Sequence, residues 1–389
     1  MNRTILFMVL TLSLLEAQSY EALLQEALEM NTALKLTQTQ EEKNRLNGVI
    51  KTRLANPTLE IGVADFSSRR VLRENEIGGS IGLSQSLLLP SVKADKKKFT
   101  QRQVELSQEN YKLEKSMFIY RFNLNYLAYK EAQKKELLQT ASLDISKKIL
   151  AVTEGRFSAG SIAKAELLQA QIEQSEALSY AKVLSLKTLQ EKNSLLRFAN
   201  LEQNIELDAE HTFVQNSNTS THPLLKLAEK KEKVALAQLA VDSHNIERVV
   251  LFSEIEAEPD QDIFRVGISL ALPIFNQKSE EKQLAKIAIN NQKLALASGK
   301  RVLSLELSQL QEEIVVQEAL KSNYEALILE EERLLMMYQE GYAIAKVNLL
   351  KLNMLKKKLL DNRERLLEVT LAIEKNIIKI NYLQGGQNE

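Results

Sequence analysis

The sequence predicts a mainly α-helical fold with four β-strands, in which long coiled-coil hairpins are repeated by an internal duplication. Glycine (12) and proline (5) are scarce among 389 residues, while Leu, Ala, Glu, Lys and Gln dominate, which favours long helices. Apolar residues recur at intervals of seven over long stretches, as in coiled coils. The stretch EGRFSAGSIAKAELLQAQ, which begins at Glu154, resembles YQEGYAIAKVNLLKLN, which begins at Tyr338. Each half of the chain therefore contains a similar segment.

The chain begins with a pattern that is typical of a secretory signal peptide. Arg3 supplies a positive charge, an apolar run follows from Ile5 to Leu15, and Ala17 is a small residue at the expected cleavage position. This run is too short to cross a membrane as a helix. A buried N-terminal helix is the alternative. We predict that residues 1–17 are a signal peptide and that the mature chain is exported.

Residues 18–200 are predicted to form the first structural repeat. A helix extends from Tyr20 to Ala55, and alternating apolar residues in NPTLEIGVADF and EIGGSIGLSQSLLLP then indicate two strands. A long helix follows from Val92 to Thr153 and is expected to break at Gly155 and Gly160. A further helix then extends to about Asn200. The seam of the long helix includes Val92, Phe99, Leu106, Leu113, Tyr120 and Leu127.

Residues 222–384 are predicted to repeat this order. A helix from His222 to about Glu247 precedes two strands, in RVVLFSEIEAE and IFRVGISLALP, and a long helix then extends from Asn276 to about Tyr338. After a turn at Gly341, the last helix carries apolar residues at intervals of seven: Leu352, Leu359, Leu366, Ile373 and Ile380. Residues 201–221 are predicted to be a polar linker, with disorder as the alternative, and residues 385–389 a C-terminal tail.

The lengths of these elements indicate a membrane protein. Each long helix has roughly 62 residues and is therefore about 95 Å long. Each strand has roughly nine to twelve residues, enough to cross a bilayer at a tilt, with one apolar and one polar face. Four strands cannot close a barrel, and lipid does not tolerate open sheet edges. We therefore predict a homotrimer with a 12-stranded transmembrane β-barrel in outer-membrane lipid and a periplasmic α-barrel built from the helical hairpins.

Four charged residues are predicted to line the lumen of this barrel. Glu60, Glu254, Glu256 and Arg265 fall on the polar faces of the strands, where charged side chains need contact with water. We expect them to keep the lumen wet rather than to coordinate a specific substrate.

Composition excludes several other classes of function. The chain contains no Cys, so disulfides and thiolate metal sites are absent, and 51 basic residues balance 51 acidic ones, so no nucleic-acid partner is expected. The three histidines, His211, His222 and His244, lack the spacing of a metal site, and no Ser-His-Asp arrangement is present. We predict that the protein is not an enzyme and has no cofactor and no metal site.

The strand-to-helix junctions GLSQSLLLPSVKAD and GISLALPIFNQKSE, the paired aromatic-Gly turns and the order of elements resemble the TolC family of outer-membrane efflux proteins. The stretch HPLLKLAEKKEKVALAQLAVDS is similar to the cobalt-zinc-cadmium efflux branch of that family. The resemblance implies a passive exit duct of a Gram-negative bacterium, which docks onto a periplasmic adaptor protein and an inner-membrane pump of the resistance-nodulation-division or ABC class. It leaves open whether the substrate is a metal ion, a drug or a secreted polypeptide. An exported periplasmic coiled-coil adaptor or structural protein is the alternative.

The resemblance also implies where the functional residues lie. The two turns would form the periplasmic tip, where Gly160 and Gly341 are expected in the left-handed conformation and Tyr342 on the surface. The residues predicted to shape the tip and dock the adaptor are Phe157, Gly160, Ser161, Tyr338, Gly341 and Tyr342; ordinary hairpin turns are the alternative. The positions that match the acidic pore constriction of the family are Glu166, Gln169, Asn348 and Lys351. Because Glu166 alone is an acid, a neutral or mildly cationic pore mouth is expected.

Overall fold

The computed structural model describes residues 19–66, 77–202, 205–216 and 221–385. Within these ranges the protein is mainly α-helical and has four β-strands, as predicted, and the strands form one antiparallel sheet. The predicted signal peptide, residues 1–17, lies outside the described residues, as does most of the predicted C-terminal tail. In chain order the elements are α1 (Tyr20–Met30), α2 (Thr32–Thr52), β1 (Thr58–Asp65), β2 (Ile77–Leu88), α3 (Pro90–Ser158), α4 (Lys164–Ala199), α5 (Pro223–Asp242), β3 (Arg248–Ala257), β4 (Asp262–Ser269), α6 (Ser279–Ala343) and α7 (Leu349–Leu383).

Several helix boundaries differ from the prediction, among them the end of α5, which lies at Asp242 rather than at about Glu247. The first helix is interrupted at Asn31, whose extended backbone (ψ 105°) separates α1 from α2. Helix α3 continues to Ser158 and contains Gly155, and α6 continues to Ala343 and contains Gly341. One glycine inside a long helix costs only about 1 kcal/mol, less than the packing of the surrounding turns contributes.

The chain forms two compact units, each built from segments of both sequence halves. The helical unit comprises the described parts of Met1–Thr32, Glu114–His222 and Val302–Glu389. The sheet unit comprises the described parts of Ala33–Leu113 and Pro223–Arg301.

An aromatic cluster forms one core of the helical unit. Tyr20 stacks on His211 with ring centroids 3.8 Å apart and meets Tyr126 edge-on at 5.1 Å. Phe122 and Phe213 are buried in the same cluster. Because His211 and Phe213 belong to the predicted linker, its residues 205–216 are packed against helices rather than disordered.

A buried ion pair lies close to this cluster. Lys130 on α3 donates hydrogen bonds to both carboxylate oxygens of Glu374 on α7, at 2.7 and 2.9 Å, and to the carbonyl oxygen of His211 at 2.8 Å. The side chains of Lys130 and Glu374 are 7% and 6% exposed. The pair therefore joins two helices and the linker through charges that are almost fully removed from water.

The sheet has the strand order β1-β2-β3-β4, so that β1 and β4 are its edges. The inner strands β2 and β3 have 12 and 10 residues, as expected, whereas β1 and β4 have 8 each and are shorter than predicted. An edge strand has one paired neighbour within the chain, so fewer of its residues join the ladder.

Charged contacts connect the strand ends to the helices of the sheet unit. Glu247, which precedes β3, accepts hydrogen bonds from Lys96 at 2.6 Å and from Lys278, and His244 lies 2.7 Å from Asp95. Partial burial alone would raise the pKa of Glu247, but the hydrogen bonds from Lys278 and Lys96 outweigh it and lower this pKa to about 2. The carboxylate is therefore charged throughout the neutral and mildly acidic range.

Candidate functional site

One face of the sheet is apolar and exposed. Directly paired residues project to the same side, so the register places Ile61, Ile81, Ile255 and Phe264 in one row across the four strands. Their exposed fractions are 73%, 50%, 51% and 69%. The other large exposed apolar residues on this face of the strands are Leu59, Val63, Ile77, Leu83, Leu251, Val266 and Ile268. An apolar surface of this size indicates contact with an apolar environment outside the chain.

The opposite face carries the four charged residues that were predicted to line a lumen. Pairing aligns Glu60 with Gly82, Gly82 with Glu254, and Glu254 with Arg265. Arg265 donates to Glu254 at 3.2 Å and also pairs with Glu256. The structure therefore brings these residues together on one face, and their location in a lumen stays a prediction.

The first predicted tip turn contains a glycine in the left-handed conformation, as predicted. Gly160 has a φ of 72°, its N–H donates to the carbonyl oxygen of Phe157 at 2.8 Å, and the N–H of Ser161 donates to that of Arg156 at 2.9 Å. These two bonds form a Schellman motif, which ends α3. Phe157 is 37% exposed and Ser161 is exposed, so both side chains are accessible in one chain.

The second turn is built differently from the prediction. Ala345 takes the left-handed conformation, with a φ of 62°, and the N–H of Lys346 donates to the carbonyl oxygen of Gly341 at 2.8 Å. Ala345, and not Gly341, is thus the counterpart of Gly160. A Cβ atom at position 341 would lie 2.7 Å from Cγ2 of Val347, so this position requires glycine for close approach rather than for its φ.

The prediction for Gly341 was wrong because both turns contain the sequence Ile-Ala-Lys and were therefore expected to be built alike. Lys164 begins α4, whereas Lys346 still lies in the turn that precedes α7. The letters match in sequence but occupy different places in the two hairpins.

Tyr342 is buried, and the prediction that it faces the surface is wrong. It is 1% exposed, its hydroxyl lies 2.9 Å from Thr153 Oγ1, and the hydroxyl donates to Glu166 at 3.2 Å. Arg156 lies over its ring at 4.5 Å and donates to its carbonyl oxygen at 3.0 Å. Burial raises the pKa of the Tyr342 phenol. Tyr342 therefore ties α6 to α3 and α4 in the helical unit, where a surface residue was expected.

Sequence reasoning missed Thr153 and Arg156, which complete this network. Thr153 lies on α3 and is fully buried, and its Oγ1 lies 2.7 Å from the carbonyl oxygen of Ile149 as well as 2.9 Å from the Tyr342 hydroxyl. Val152 follows Leu138 and Ile145 at intervals of seven, in a second apolar seam of α3, and the polar residue next to it is a weak signal of such a contact. Arg156 carries no periodic signal.

The four predicted pore-mouth residues lie at the beginnings of α4 and α7. Asn348 caps α7, because its side-chain oxygen accepts the backbone N–H of Lys351 at 2.9 Å. Glu166 is half-buried and accepts the bond from Tyr342, Gln169 is half-buried, and Lys351 is exposed. Their arrangement around a pore stays a prediction.

Among the described residues, no three His, Cys, Asp or Glu side chains are grouped so that they could hold a metal ion. Within the same ranges, every helix is too short or too polar to span a membrane.

Comparison with known proteins identifies the fold. No family model and no curated protein sequence matches the chain. Three solved structures each match 94% of the chain. CusC, studied for folding and transmembrane channel formation, matches with a TM-score of 0.76 and 15% identity over 92% of its own length. The Campylobacter jejuni outer membrane channel CmeC matches with a TM-score of 0.76 and 14% identity over 85% of its length, and the Vibrio cholerae outer membrane protein VceC with a TM-score of 0.77 and 13% identity over 95% of its length. The chain has the fold of the TolC-type channels. At such low identity, a match of this kind establishes the fold, and function has to be argued from the surfaces.

Proposed function

We propose that the chain is one subunit of a homotrimeric channel in the outer membrane of a Gram-negative bacterium, extending into the periplasm. In this proposal three sheets join into a 12-stranded barrel, the long hairpins form an α-barrel, and the two halves of the chain are copies of one duplicated plan. The observation that supports it best is the two-faced sheet, which exposes Ile61, Val63 and Phe264 on one side and gathers charged residues on the other.

Unpaired backbone groups at the sheet edges explain why three copies are needed. In one chain, β1 and β4 each have a free edge. A polar backbone group left unpaired in hydrocarbon costs several kcal/mol, so a sheet with two free edges is not stable in lipid. Pairing β4 of one copy with β1 of the next satisfies both edges. Three copies close the ring with an even number of strands.

The alternation of the strands fits this position in the membrane. Apolar residues then contact lipid, while Glu60, Glu254, Glu256 and Arg265 contact water in the lumen. The ion pair between Arg265 and Glu254 neutralises part of the charge on that face.

We further propose that the channel works with a periplasmic adaptor and an inner-membrane pump of the resistance-nodulation-division or ABC class, in efflux or type I secretion. The exposed residues of the hairpin turns, Phe157 and Ser161, are available for adaptor contact, whereas buried Tyr342 acts by shaping the turn. Assignment to the cobalt-zinc-cadmium branch stays a prediction that rests on the opening of the second half.

A pair of charge insertions tests the channel proposal. Ile61→Arg places a cation on the apolar face, which costs about 2–4 kcal/mol at the middle of a bilayer. Ser80→Arg is the matched control, because Ser80 lies on the polar face between Gly62 and Glu256. We expect the wild type and Ser80→Arg to be recovered from membranes as detergent-stable trimers that conduct ions in planar bilayers, and Ile61→Arg to be lost from the membrane fraction. A water-soluble monomer that tolerates Ile61→Arg would instead support the adaptor or structural protein.

A further inference from the structure

A cavity of about 320 Å³ lies in the sheet unit, where α2 ends and β2 passes into α3. Three segments form its wall: residues 52–55 after α2, residues 86–90 with Lys93 at the junction of β2 and α3, and Arg248 with Val249 at the start of β3. None of the residues discussed above as site candidates lines it.

Among the residues that the structure describes, three cations and no acidic residue line this cavity. They are Arg53, Lys93 and Arg248, and all three are exposed. Within the part of the chain that the structure describes, none of their side chains makes a hydrogen bond or an ion pair. The cavity therefore has an excess of positive charge that the described protein groups leave uncompensated.

The nearest acids in the sequence do not neutralise these cations, because other residues hold them. Glu247 is adjacent to Arg248 but accepts hydrogen bonds from Lys96 and Lys278. Asp95, two residues after Lys93, pairs with His244 at 2.7 Å. The protein thus compensates the acids at this junction and leaves the cations free for an external anion.

Apart from Thr52 and Ser86, the rest of the wall is apolar, and a hydrogen bond holds part of it in place. It includes Val249 and four leucines at positions 54, 87, 88 and 89, and Leu54 is 63% exposed. The side chain of Gln85 donates to the carbonyl oxygen of Ala55 at 2.8 Å, which fixes the segment after α2 against β2. The wall therefore places leucines beside cations.

We propose that this cavity binds the phosphate group of a phospholipid, with Arg53, Lys93 and Arg248 contacting the phosphate. Leu87 and Val249, which are paired on the apolar face of the sheet, then contact the first carbons of the acyl chains. Arginine matches phosphate oxygens through paired hydrogen bonds, and lysine contributes charge. The inference rests on the proposed function, which puts these strand ends at the boundary between lipid and water. Inorganic phosphate shares the head-group chemistry, but the leucines and Val249 offer nothing to a hydrated anion, so the structure favours lipid.

Lipid binding to the purified, delipidated full-length channel tests the proposal. Native mass spectrometry would count bound phosphatidylglycerol, diacylglycerol with the same acyl chains, and phosphatidylglycerol in the presence of inorganic phosphate. We expect phosphatidylglycerol to bind and diacylglycerol not to bind. In the variant Arg53→Gln/Lys93→Gln/Arg248→Gln, each of the three neutralised cations should weaken the binding of phosphatidylglycerol about fivefold. If the triple variant does not assemble, the binding of phosphatidylglycerol to the three single variants is measured instead.

A second triple variant, Lys43→Gln/Lys286→Gln/Lys300→Gln, removes three exposed cations elsewhere in the sheet unit and should bind lipid like the wild type. Equal binding of diacylglycerol, or an equal loss in this control, would overturn phosphate recognition by the cavity. Displacement of the lipid by an equal concentration of inorganic phosphate would overturn the lipid assignment in favour of a soluble anion. Conductance is measured on the same preparations: a conducting channel without lipid preference contradicts this inference alone, whereas a preparation without conductance contradicts the proposed function and this inference with it.

Discussion

Replacing Lys130 by methionine is expected to lower the free energy of unfolding of the helical unit by about 3–5 kcal/mol. Lys130 forms two hydrogen bonds with Glu374 and one with the carbonyl oxygen of His211, and the ionised side chains are 7% and 6% exposed. Methionine keeps most of the apolar stem, so little packing is lost. The cost arises because Glu374 remains buried without a counter-charge and the carbonyl oxygen loses its donor.

A double-mutant cycle separates this cost from lost packing. In Lys130→Met/Glu374→Met both charges are removed, and we expect stability to return to within about 1–2 kcal/mol of the wild type. The assay is guanidinium unfolding in detergent, followed by circular dichroism at 222 nm, with comparison of midpoints at a constant m-value. If Lys130→Met lost less than about 1 kcal/mol, or if the double variant were no more stable than the single one, the buried pair would not carry the charge coupling assigned to it.

Three further predictions concern single side chains. Tyr342→Phe removes a buried hydroxyl with two hydrogen-bond partners and should cost about 1–2 kcal/mol in the same assay, whereas Tyr338→Phe should cost almost nothing; equal effects would argue against the network. Burial would raise the pKa of Glu247, but hydrogen bonds from two lysines outweigh it and lower this pKa from 4.5 to about 2. The ionised carboxylate therefore stabilises the folded state by roughly 1–2 kcal/mol after screening, and this contribution is complete above about pH 4.5 and is lost as the pH falls towards 2. Glu247→Gln should reduce the slope of stability against pH in that window, and an unchanged slope would contradict the assignment. Gly155→Ala, where the added Cβ meets open space, should stabilise α3 by about 0.5–1 kcal/mol, whereas Gly341→Ala should be destabilising because of the 2.7 Å contact; thermal melts of the two variants would show whether their signs differ.

The long helices and the two faces of the sheet were predictable because both depend on local periodicity. A heptad pattern identifies α3 and α7 without knowledge of their neighbours, and strand alternation places Glu60, Glu254 and Arg265 on one side of their strands. The ends of the helices were less predictable. Glycine lowers helix propensity by only about 1 kcal/mol, so the contacts around Gly155 and Gly341 decide whether the helix continues.

Burial of Tyr342 could not be predicted, because it depends on which helices meet. Thr153 and Glu166 lie far from Tyr342 in sequence, and no pattern within α6 indicates that both reach its hydroxyl. The cavity at the sheet had the same limitation. Arg53, Lys93 and Arg248 belong to three separate segments, and only the strand register and the turn after α2 bring them to one wall.

Buried polar contacts in the helical unit follow from the repetition of similar heptad seams. Helices with equivalent apolar stripes can pack in several registers with nearly equal energy, and a buried polar pair excludes registers in which its partner is missing. Lys356 donates to Ser146 at 3.0 Å, and Asn362 donates to both oxygens of Glu331 at 2.9 Å, each pair joining two helices. Such pairs stabilise the fold less than apolar residues of similar volume would, so we infer that they fix the register between the helices rather than add to the free energy of unfolding. The double-mutant cycle on Lys130 and Glu374 measures this difference in stability directly, because a double variant as stable as the wild type would show that the ion pair aligns the helices without adding net stability.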